Sequence, residues 1–213
     1  GALAVFRDVT SAAHIPTGSC CATSAGLAAA VRSAPTDGRY FFRASPSDDR
    51  QAIVVSDVVI DGPNATNPGD VLFCRNVVIL HVDTTYGTPF ANSVRAEIMR
   101  RESSINVTLV PFPPAESAAD FSAQVNALTM ARPDCAVAIG YARAIGAIVR
   151  GYRNNMSAGP ITFIGTDGVY APALITESST AALADARITF LGTAPLSRYA
   201  DLSMATSNYR TFA

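Results

Sequence analysis

The sequence predicts an α/β protein whose core is a doubly wound parallel sheet. Five short apolar runs, rich in β-branched residues, follow one another through the second two-thirds of the 213-residue chain. Amphipathic helical stretches separate these runs, which recur at the spacing of a βαβ unit, roughly 30 residues. With 49% apolar and 15% charged residues, the chain has enough apolar side chains to build such a core.

Each of the five runs is predicted to be a strand buried on both faces, because its apolar residues are continuous and do not alternate with polar ones. The five runs are Asn76 to Val82, Ile105 to Val110, Cys135 to Gly140, Ile161 to Gly165 and Arg187 to Gly192.

Between the strands, apolar residues recur at helical spacing and predict helices that pack one face on the sheet. These residues are Phe90, Val94 and Ile98 in the first helix, Phe121, Val125 and Leu128 in the second, and Ile145, Ile148, Val149 and Tyr152 in the third. A preceding helix is predicted to begin at Ser45 as N-cap, with Pro46 in the first turn followed by Asp48. Its apolar residues are Ile53, Val54, Val58 and Val59.

The first 43 residues predict a smaller unit of the same kind. An Ala-rich helix ends near His14, an extended run reaches Ser19, a second helix follows Ser24, and the segment RYFFR forms a strand. We therefore divide the chain into residues 1–44, residues 45–192, which hold the larger sheet, and residues 193–213. The turn-rich stretch 61–70 is expected to be a surface loop.

Composition excludes several functions. All 16 basic residues are arginine, the net charge is −1, and no basic run exists that could follow a nucleic acid backbone. Without lysine the chain cannot form a Schiff base, a P-loop or a phosphoacceptor receiver site. No stretch is long and apolar enough to span a membrane.

The four cysteines do not have the spacing of a zinc site, so we expect no bound metal. Cys74 and Cys135 both lie at the start of a predicted strand. Neighbouring parallel strands could bring them together as a disulfide in an exported protein, and buried free thiols are the alternative.

Polar residues follow the carboxyl ends of the predicted strands, where parallel sheets bind ligands. They are Asp83, Thr84, Thr85 and Tyr86 after the first strand, Tyr141 and Arg143 after the third, Thr166, Asp167 and Tyr170 after the fourth, and Thr193 after the fifth. Hydroxyls, phenols and carboxylates of this kind bind ligands by hydrogen bonds and one or two charges. They contain no evident pair of nucleophile and base, so the sequence predicts a binding site.

Three other interpretations of these residues remain open. The segment DTTYGT could form a phosphate loop, as in flavodoxin-like proteins. Asp83 and Asp167 could act as paired carboxylates for acid–base chemistry or hold Mg²⁺. Tyr86 and Tyr141 could simply pack at the edge of the sheet.

Several motifs together resemble one known family. These are IPTGSCCATSAGLA, YFFRASPSD followed by Gln51, VVILHVDTTYGTPFA, FSAQVNAL with ARPDCAVAIGY after it, and FIGTDGVYAPAL. In this order and spacing they resemble the type I periplasmic binding proteins of the branched-chain amino acid (leucine/isoleucine/valine) class. These proteins are the substrate-binding subunits of ABC transporters, and they consist of two lobes.

The resemblance implies a ligand site at named positions of this chain. In such proteins the loop matching Ser19 to Thr23 holds the α-carboxylate of the ligand, a role that falls to Cys21 and Thr23. Tyr86 would line the opposite side of the cleft, together with Tyr141. The acid of the glycine-flanked turn, Asp167, would pair with the ligand ammonium.

The resemblance also implies a function and a location. Residues 1–44 would be part of a first lobe, 45–192 a second lobe and 193–213 a return toward the first, so the chain looks like an internal piece. Its expected role is to bind an amino acid or similar small polar ligand for a membrane permease, without catalysis, cofactor or metal. The expected location is periplasmic or extracellular, with any lipid anchor outside this chain. A flavodoxin-like phosphate- or flavin-binding protein and the sensing domain of a receptor are the alternatives.

Overall fold

Five parallel strands form the central sheet, which confirms the predicted fold class. The computed structural model describes residues 5–11, 13–19, 22–33, 40–63, 73–114, 120–179 and 183–193. The strands of this sheet are β3 (Asn76–Val82), β4 (Asn106–Phe112), β5 (Cys135–Ile139), β6 (Ile161–Gly165) and β7 (Ile188–Gly192). Their order across the sheet is β4-β3-β5-β6-β7.

A second, two-stranded parallel sheet lies in the amino-terminal part. Strand β1 (Thr17–Ser19) pairs with β2 (Phe41–Arg43), so the strand predicted from RYFFR is present. The helix expected to end near His14 ends earlier than predicted, in a π-helical turn that spans Phe6–Thr10.

Helices cover both faces of the central sheet. The helices are α1 (Ala25–Ser33), α2 (Asp48–Asp61), α3 (Gly87–Arg101), α4 (Ser122–Ala131), α5 (Ala142–Asn154) and α6 (Pro172–Ser178). Alternate residues of β3 enter two separate apolar cores, with Val78 and Leu80 on one face and Val77 and Ile79 on the other. Helices α2 and α3 contribute to one core, and α4 and α5 to the other, as a doubly wound sheet requires.

Strand β4 differs from the prediction that all five strands are buried on both faces. It lies at the edge of the sheet, and its residues are mostly partly or fully exposed. An edge strand has a neighbour on one side only, so part of its length faces solvent whatever its composition.

Helix α2 also departs from the sequence prediction. Its N-cap is Ser47 and not Ser45, so the helix begins two residues later than expected. Val58 and Val59 are buried as predicted, whereas Ile53 and Val54 are 41% and 45% exposed. The helix turns a different face to the sheet, and Ala52 and Val55 take the buried positions.

A disulfide joins Cys74 and Cys135, with their Cα atoms 5.8 Å apart. Of the two alternatives, the structure therefore contains the bridge and not free thiols. Cys135 is the first residue of β5, and its register partner on β3 is Val77. The bridge ties the amino ends of these two neighbouring strands, at the edge opposite the predicted site.

The domain boundaries remain predictions. The segment expected to return toward a first lobe lies outside the described residues from position 194 onward, and most of the predicted loop 61–70 also lies outside them.

Candidate functional site

The candidate site lies at the point in the sheet where the order of the strands reverses, between β3 and β5. Strand β3 has β4 on one side and β5 on the other, so the loops after β3 and β5 diverge and leave a crevice between them. Tyr86 follows β3 and Tyr141 follows β5, and their ring centroids are 6.1 Å apart. The two tyrosines therefore form one aromatic wall at the carboxyl edge of the sheet, on the same side as Asp167.

Tyr86 is held from several sides. Its ring meets Phe90 edge to face with centroids 6.0 Å apart. Burial raises the pKa of its phenol above the ordinary value, an effect only partly offset by the Thr166 hydroxyl. Nearby Asp167 raises this pKa further, so Tyr86 stays protonated and neutral at physiological pH.

The turn that carries Asp167 is fixed against strand β5. The backbone N–H and the hydroxyl of Thr166 both donate to the carbonyl of Ala138, at 3.1 and 3.3 Å. A Cβ atom at position 168 would lie 2.5 Å from the carbonyl oxygen of Gly140 and 3.4 Å from the Tyr86 hydroxyl. Only glycine fits there, so Gly168 allows the turn to approach β5 and Tyr86.

A cavity of about 180 Å³ opens beside this turn. Ten residues from four separate parts of the chain line it: Thr23, Ser45, Pro46, Ser47, Asp48, Arg50, Gln51, Val54, Asp167 and Thr193. Three residues to which the sequence pointed, Thr23, Asp167 and Thr193, are therefore in the cavity wall. Tyr86 and Tyr141 do not line the cavity. Tyr86 lies against the turn that carries Asp167, because its hydroxyl is close to Gly168.

Ser19 shapes the loop that ends in Thr23. Its hydroxyl accepts a hydrogen bond from the backbone N–H of Ala22 at 2.9 Å. Arg43 donates from Nη1 to the carbonyls of Ala22 and Thr23, at 3.2 and 3.3 Å. The Ser19 hydroxyl therefore forms a hydrogen bond within its own loop, and Ser19 does not line the cavity. Cys21, the remaining predicted site residue, lies outside the described residues.

Asp48 is a site residue that sequence reasoning missed. It was interpreted only as a first-turn acid of α2, yet its side chain lines the cavity and the residue is 1% exposed. Among the described residues, neither of its carboxylate oxygens has a hydrogen-bond partner of good geometry. Loss of solvation raises its pKa to about 6, although the Thr23 hydroxyl and Arg43 act in the opposite direction.

The acid that accompanies Asp167 is thus Asp48 and not Asp83. The charge of Asp167 contributes to the raised pKa of Asp48, which shows that the two carboxylates are close enough to interact. Oδ1 of Asp167 is also buried without a partner in the described part of the chain. Asp83 is exposed, accepts a hydrogen bond from the Thr88 hydroxyl at 3.1 Å and does not line the cavity, so the alternative interpretation of Asp83 and Asp167 as paired carboxylates gains no support.

Gln51 and Thr193 close one side of the cavity. The Gln51 side-chain amide donates to the Thr193 hydroxyl at 3.1 Å, and that hydroxyl donates to the Gly165 carbonyl at 3.1 Å. This chain of bonds links α2 to the carboxyl ends of β6 and β7. The cavity therefore has a rigid polar wall on this side.

The DTTYGT loop satisfies its own backbone amides. The Thr84 hydroxyl accepts from the N–H groups of Tyr86 and Gly87, at 3.3 and 3.2 Å. These are the amides that a phosphate would use at the start of α3. The structure therefore gives no support to the phosphate-loop interpretation.

Within the described ranges, no three histidine, cysteine or acidic side chains converge on a point that could hold a metal ion. The helices in those ranges are also too short or too polar to cross a membrane.

Several solved structures share this architecture. The leucine-binding protein LivK of Thermotoga maritima is 21% identical, with a TM-score of 0.55 over 67% of this chain and 37% of that one. A type 1 periplasmic binding protein of Bordetella pertussis is 17% identical, with a TM-score of 0.52 over 66% and 33%. A solute-binding protein of an ABC transporter from Rhodopseudomonas palustris, in complex with 3,4-dihydroxybenzoic acid, is 18% identical, with a TM-score of 0.53 over 79% and 41%.

The chain has the fold of type I periplasmic binding proteins. It spans 33% to 41% of the length of these three proteins. No protein-family model matches the sequence, and no curated protein matches it.

Proposed function

We propose that this protein is a lobe of a solute-binding protein and takes a small polar ligand, an amino acid, into the cavity beside Asp167. The observation that carries the proposal is that Asp167 lines an open cavity and has a buried carboxylate oxygen without a partner among the described residues. Leaving such a group unsatisfied costs about 1 to 3 kcal/mol, so a ligand that donates to it gains affinity.

The cavity wall has both kinds of group that a zwitterion needs. The carboxylates of Asp48 and Asp167 would accept hydrogen bonds from an ammonium group. The hydroxyl of Ser45, which has no partner in the described residues, and the guanidinium of Arg50 would serve a ligand carboxylate. At about 180 Å³ the cavity is smaller than a drug-sized pocket of roughly 300 Å³ or more, which favours a small solute.

Binding, not catalysis, is the role that this wall favours. In the described part of the chain, the cavity lining contains hydroxyls, carboxylates, an amide and one arginine, and neither cysteine nor histidine. A serine or threonine nucleophile needs a base within hydrogen-bond distance, and the hydroxyl of Ser45 has no such partner in the described residues. We infer that the ligand is held and released unchanged.

The proposed setting is uptake by an ABC transporter, in which a membrane permease receives the ligand. The neighbours in fold include solute-binding proteins, and this supports the proposal. The Cys74–Cys135 disulfide fits an oxidising compartment, so we place the protein in the periplasm or outside the cell.

An aromatic acid is the second candidate ligand. The fold neighbour from Rhodopseudomonas palustris holds 3,4-dihydroxybenzoic acid. Here Arg50 could pair with an aromatic carboxylate, and the Tyr86–Tyr141 wall could contact the ring. Two acids in the cavity oppose this ligand, which brings no cation to either of them.

Titration followed by NMR tests the proposal, because chemical shifts detect even millimolar binding. Each of the 20 common L-amino acids and 3,4-dihydroxybenzoic acid is added to the labelled protein. We expect at least one amino acid to shift the amides of Thr23 and Asp167 with saturation. Asp167→Asn should weaken that binding tenfold or more, whereas Asp83→Asn, at the same edge but outside the cavity, should not. Saturation by the aromatic acid alone, or by none of the compounds, would refute the amino acid proposal.

A further inference from the structure

We propose that Met130 and Met156 form a surface oxidation site, at which the protein consumes peroxide before the peroxide reaches less exposed methionines. We call these two residues the methionine pair. The proposal goes beyond the proposed function and does not rest on it, because the methionine pair lies at the opposite edge of the sheet from the cavity.

The methionine pair has the most exposed large apolar side chains of the described residues. Met156 is 96% exposed and Met130 is 85% exposed, whereas the next such side chain, Tyr170, is 65% exposed. A side chain this exposed contributes almost nothing to packing. Its thioether is open to dissolved oxidants, and the susceptibility of methionine to oxidation increases with such exposure.

The two residues of the pair lie on the same part of the surface. Met130 is in the last turn of α4, and Met156 directly follows Asn155, the C-cap of α5. The Asn155 side-chain amide donates to the Thr129 hydroxyl at 3.1 Å. Each methionine is the chain neighbour of one partner in this hydrogen bond, so the structure brings two exposed thioethers together from two helices.

The position of the pair separates it from the cavity. Helices α4 and α5 each follow a strand of the parallel sheet and return to its amino edge, where the next strand begins. Met130 and Met156 lie at these returning ends. Asp167 follows the carboxyl end of β6, so the cavity is at the other edge. An oxygen atom added to either methionine therefore leaves the cavity wall unchanged.

The reaction transfers one oxygen atom to each sulfur. A lone pair of the thioether attacks an oxygen of hydrogen peroxide, the S–O bond forms and the O–O bond breaks. A proton moves to the departing oxygen, which leaves as water, so sulfur loses two electrons and the peroxide gains them. The product is a polar sulfoxide. Because both side chains are already in water, this polarity brings no desolvation cost.

Met99 provides an internal reference. It lies in α3 beside the fully buried Ile98, and it is 40% exposed. More than half of its surface is covered, so peroxide reaches its sulfur more slowly than it reaches the methionine pair. We therefore expect the pair to be oxidised first and to protect Met99 when peroxide is limiting.

Peptide mapping by mass spectrometry tests the order of oxidation. The chain contains no lysine, so trypsin cleaves only after arginine and places each of the four methionines in a different peptide. The oxidation rate in hydrogen peroxide is measured for the folded protein and for the protein unfolded in urea. The ratio of folded to unfolded rate should be about one for both members of the pair and below about one third for Met99. A ratio below one third for either member would overturn the proposal.

A double variant tests the protection. Met130→Leu/Met156→Leu keeps the surface apolar and removes both thioethers. With about one equivalent of peroxide, reacted to completion, the oxidised fraction of Met99 should rise about twofold or more in this variant. Met99→Leu is the matched control and should leave the oxidation of the pair nearly unchanged.

Two results would contradict the protective role. An oxidised fraction of Met99 that is the same in the double variant and in the parent protein would show that the pair consumes no significant share of the peroxide. The double variant should also unfold at the same urea concentration as the parent protein. A lower midpoint would show that the pair is packed against the fold, and it would overturn the proposal.

Discussion

Asp48 contributes to the way in which the stability of the unliganded protein depends on pH. Its pKa in the folded state is raised to about 6, above the ordinary 3.8. Between these pH values the folded protein keeps a proton that the unfolded chain has lost, so the free energy of unfolding decreases as the pH rises through this range. Above pH 6 both states are ionised and the loss is complete.

We therefore expect Asp48→Asn to stabilise the unliganded protein at pH 7. A shift of about two pH units corresponds to about 3 kcal/mol, which water at the cavity reduces to about 1 to 2 kcal/mol. Urea unfolding at pH 7 and at pH 3.5 measures the difference, which should become small at the lower pH, where Asp48 is protonated in the folded state and mostly protonated in the unfolded chain. A variant less stable than the parent protein at pH 7 would show that the ionised carboxylate has a partner.

Individual site residues could be predicted from the sequence only in part. Asp167 follows a buried strand in a glycine-flanked turn, and this local context predicted a position that lines the cavity. Asp48 begins a helix, where acids are common for reasons of helix polarity alone, so nothing local distinguished it. The signal that could have found it is the cluster of hydroxyls around it, with Ser45 and Ser47 on one side and Gln51 one turn later.

At the scale of elements, the close contact of the Asp167 turn with β5 depends on Gly168. Gly168→Ala places a methyl group against the Gly140 carbonyl, at 2.5 Å before relaxation. The turn must move away, and we expect a loss of about 1 to 3 kcal/mol in the free energy of unfolding. Gly159→Ala is the control, because a Cβ atom there has no neighbour within 4 Å.

Urea unfolding measures the loss of stability, and tyrosine fluorescence detects the movement of the turn. Tyrosine emission can be followed because the chain contains no tryptophan. Gly168→Ala should change the emission through its effect on Tyr86, and Gly159→Ala should leave it unchanged. Equal stability of the two variants would mean that the turn has room that the structure does not show.

The bounds of the strands could be predicted from the sequence more closely than the exposure of their residues to solvent. Asn76–Val82 and Ile161–Gly165 have the predicted bounds, because continuous β-branched runs between turn residues determine them locally. The exposure of β4 depends on its place at the edge, which only the order of strands in the finished sheet decides. The same holds for Ile53 and Val54 of α2, whose face depends on the angle at which the helix packs.

At the scale of the whole molecule, the disulfide is expected to supply much of the stability. Cys74 and Cys135 are separated by 61 residues. Removing the cross-link from a loop of that size returns conformational entropy to the unfolded chain, which lowers the free energy of unfolding by about 4 kcal/mol. The double variant Cys74→Ala/Cys135→Ala should unfold at a correspondingly lower urea concentration, and adding reductant should leave it unaffected. A variant as stable as the parent protein would show that the bridge contributes nothing.

Affinity is also a property of the whole molecule. The cavity holds only about 180 Å³, and the chain spans 33% to 41% of the length of the three fold neighbours. A ligand that is contacted from one side only gains a fraction of the binding free energy of a ligand that is enclosed on all sides. Calorimetry on these 213 residues should therefore detect no amino acid binding tighter than micromolar. Submicromolar affinity would show that the site is complete.

The place of Pro111 in strand β4 affects how separate copies of the protein meet. The N–H of Asn106 and the carbonyl of Phe112 both bond inward, to Arg75 and Asp83. Backbone groups alternate in direction along a strand, so position 111 points outward, where proline has no N–H to offer. A strand of another molecule that pairs with the free edge of β4 therefore finds no N–H donor at position 111. The residue thereby protects the protein against intermolecular β-pairing and aggregation.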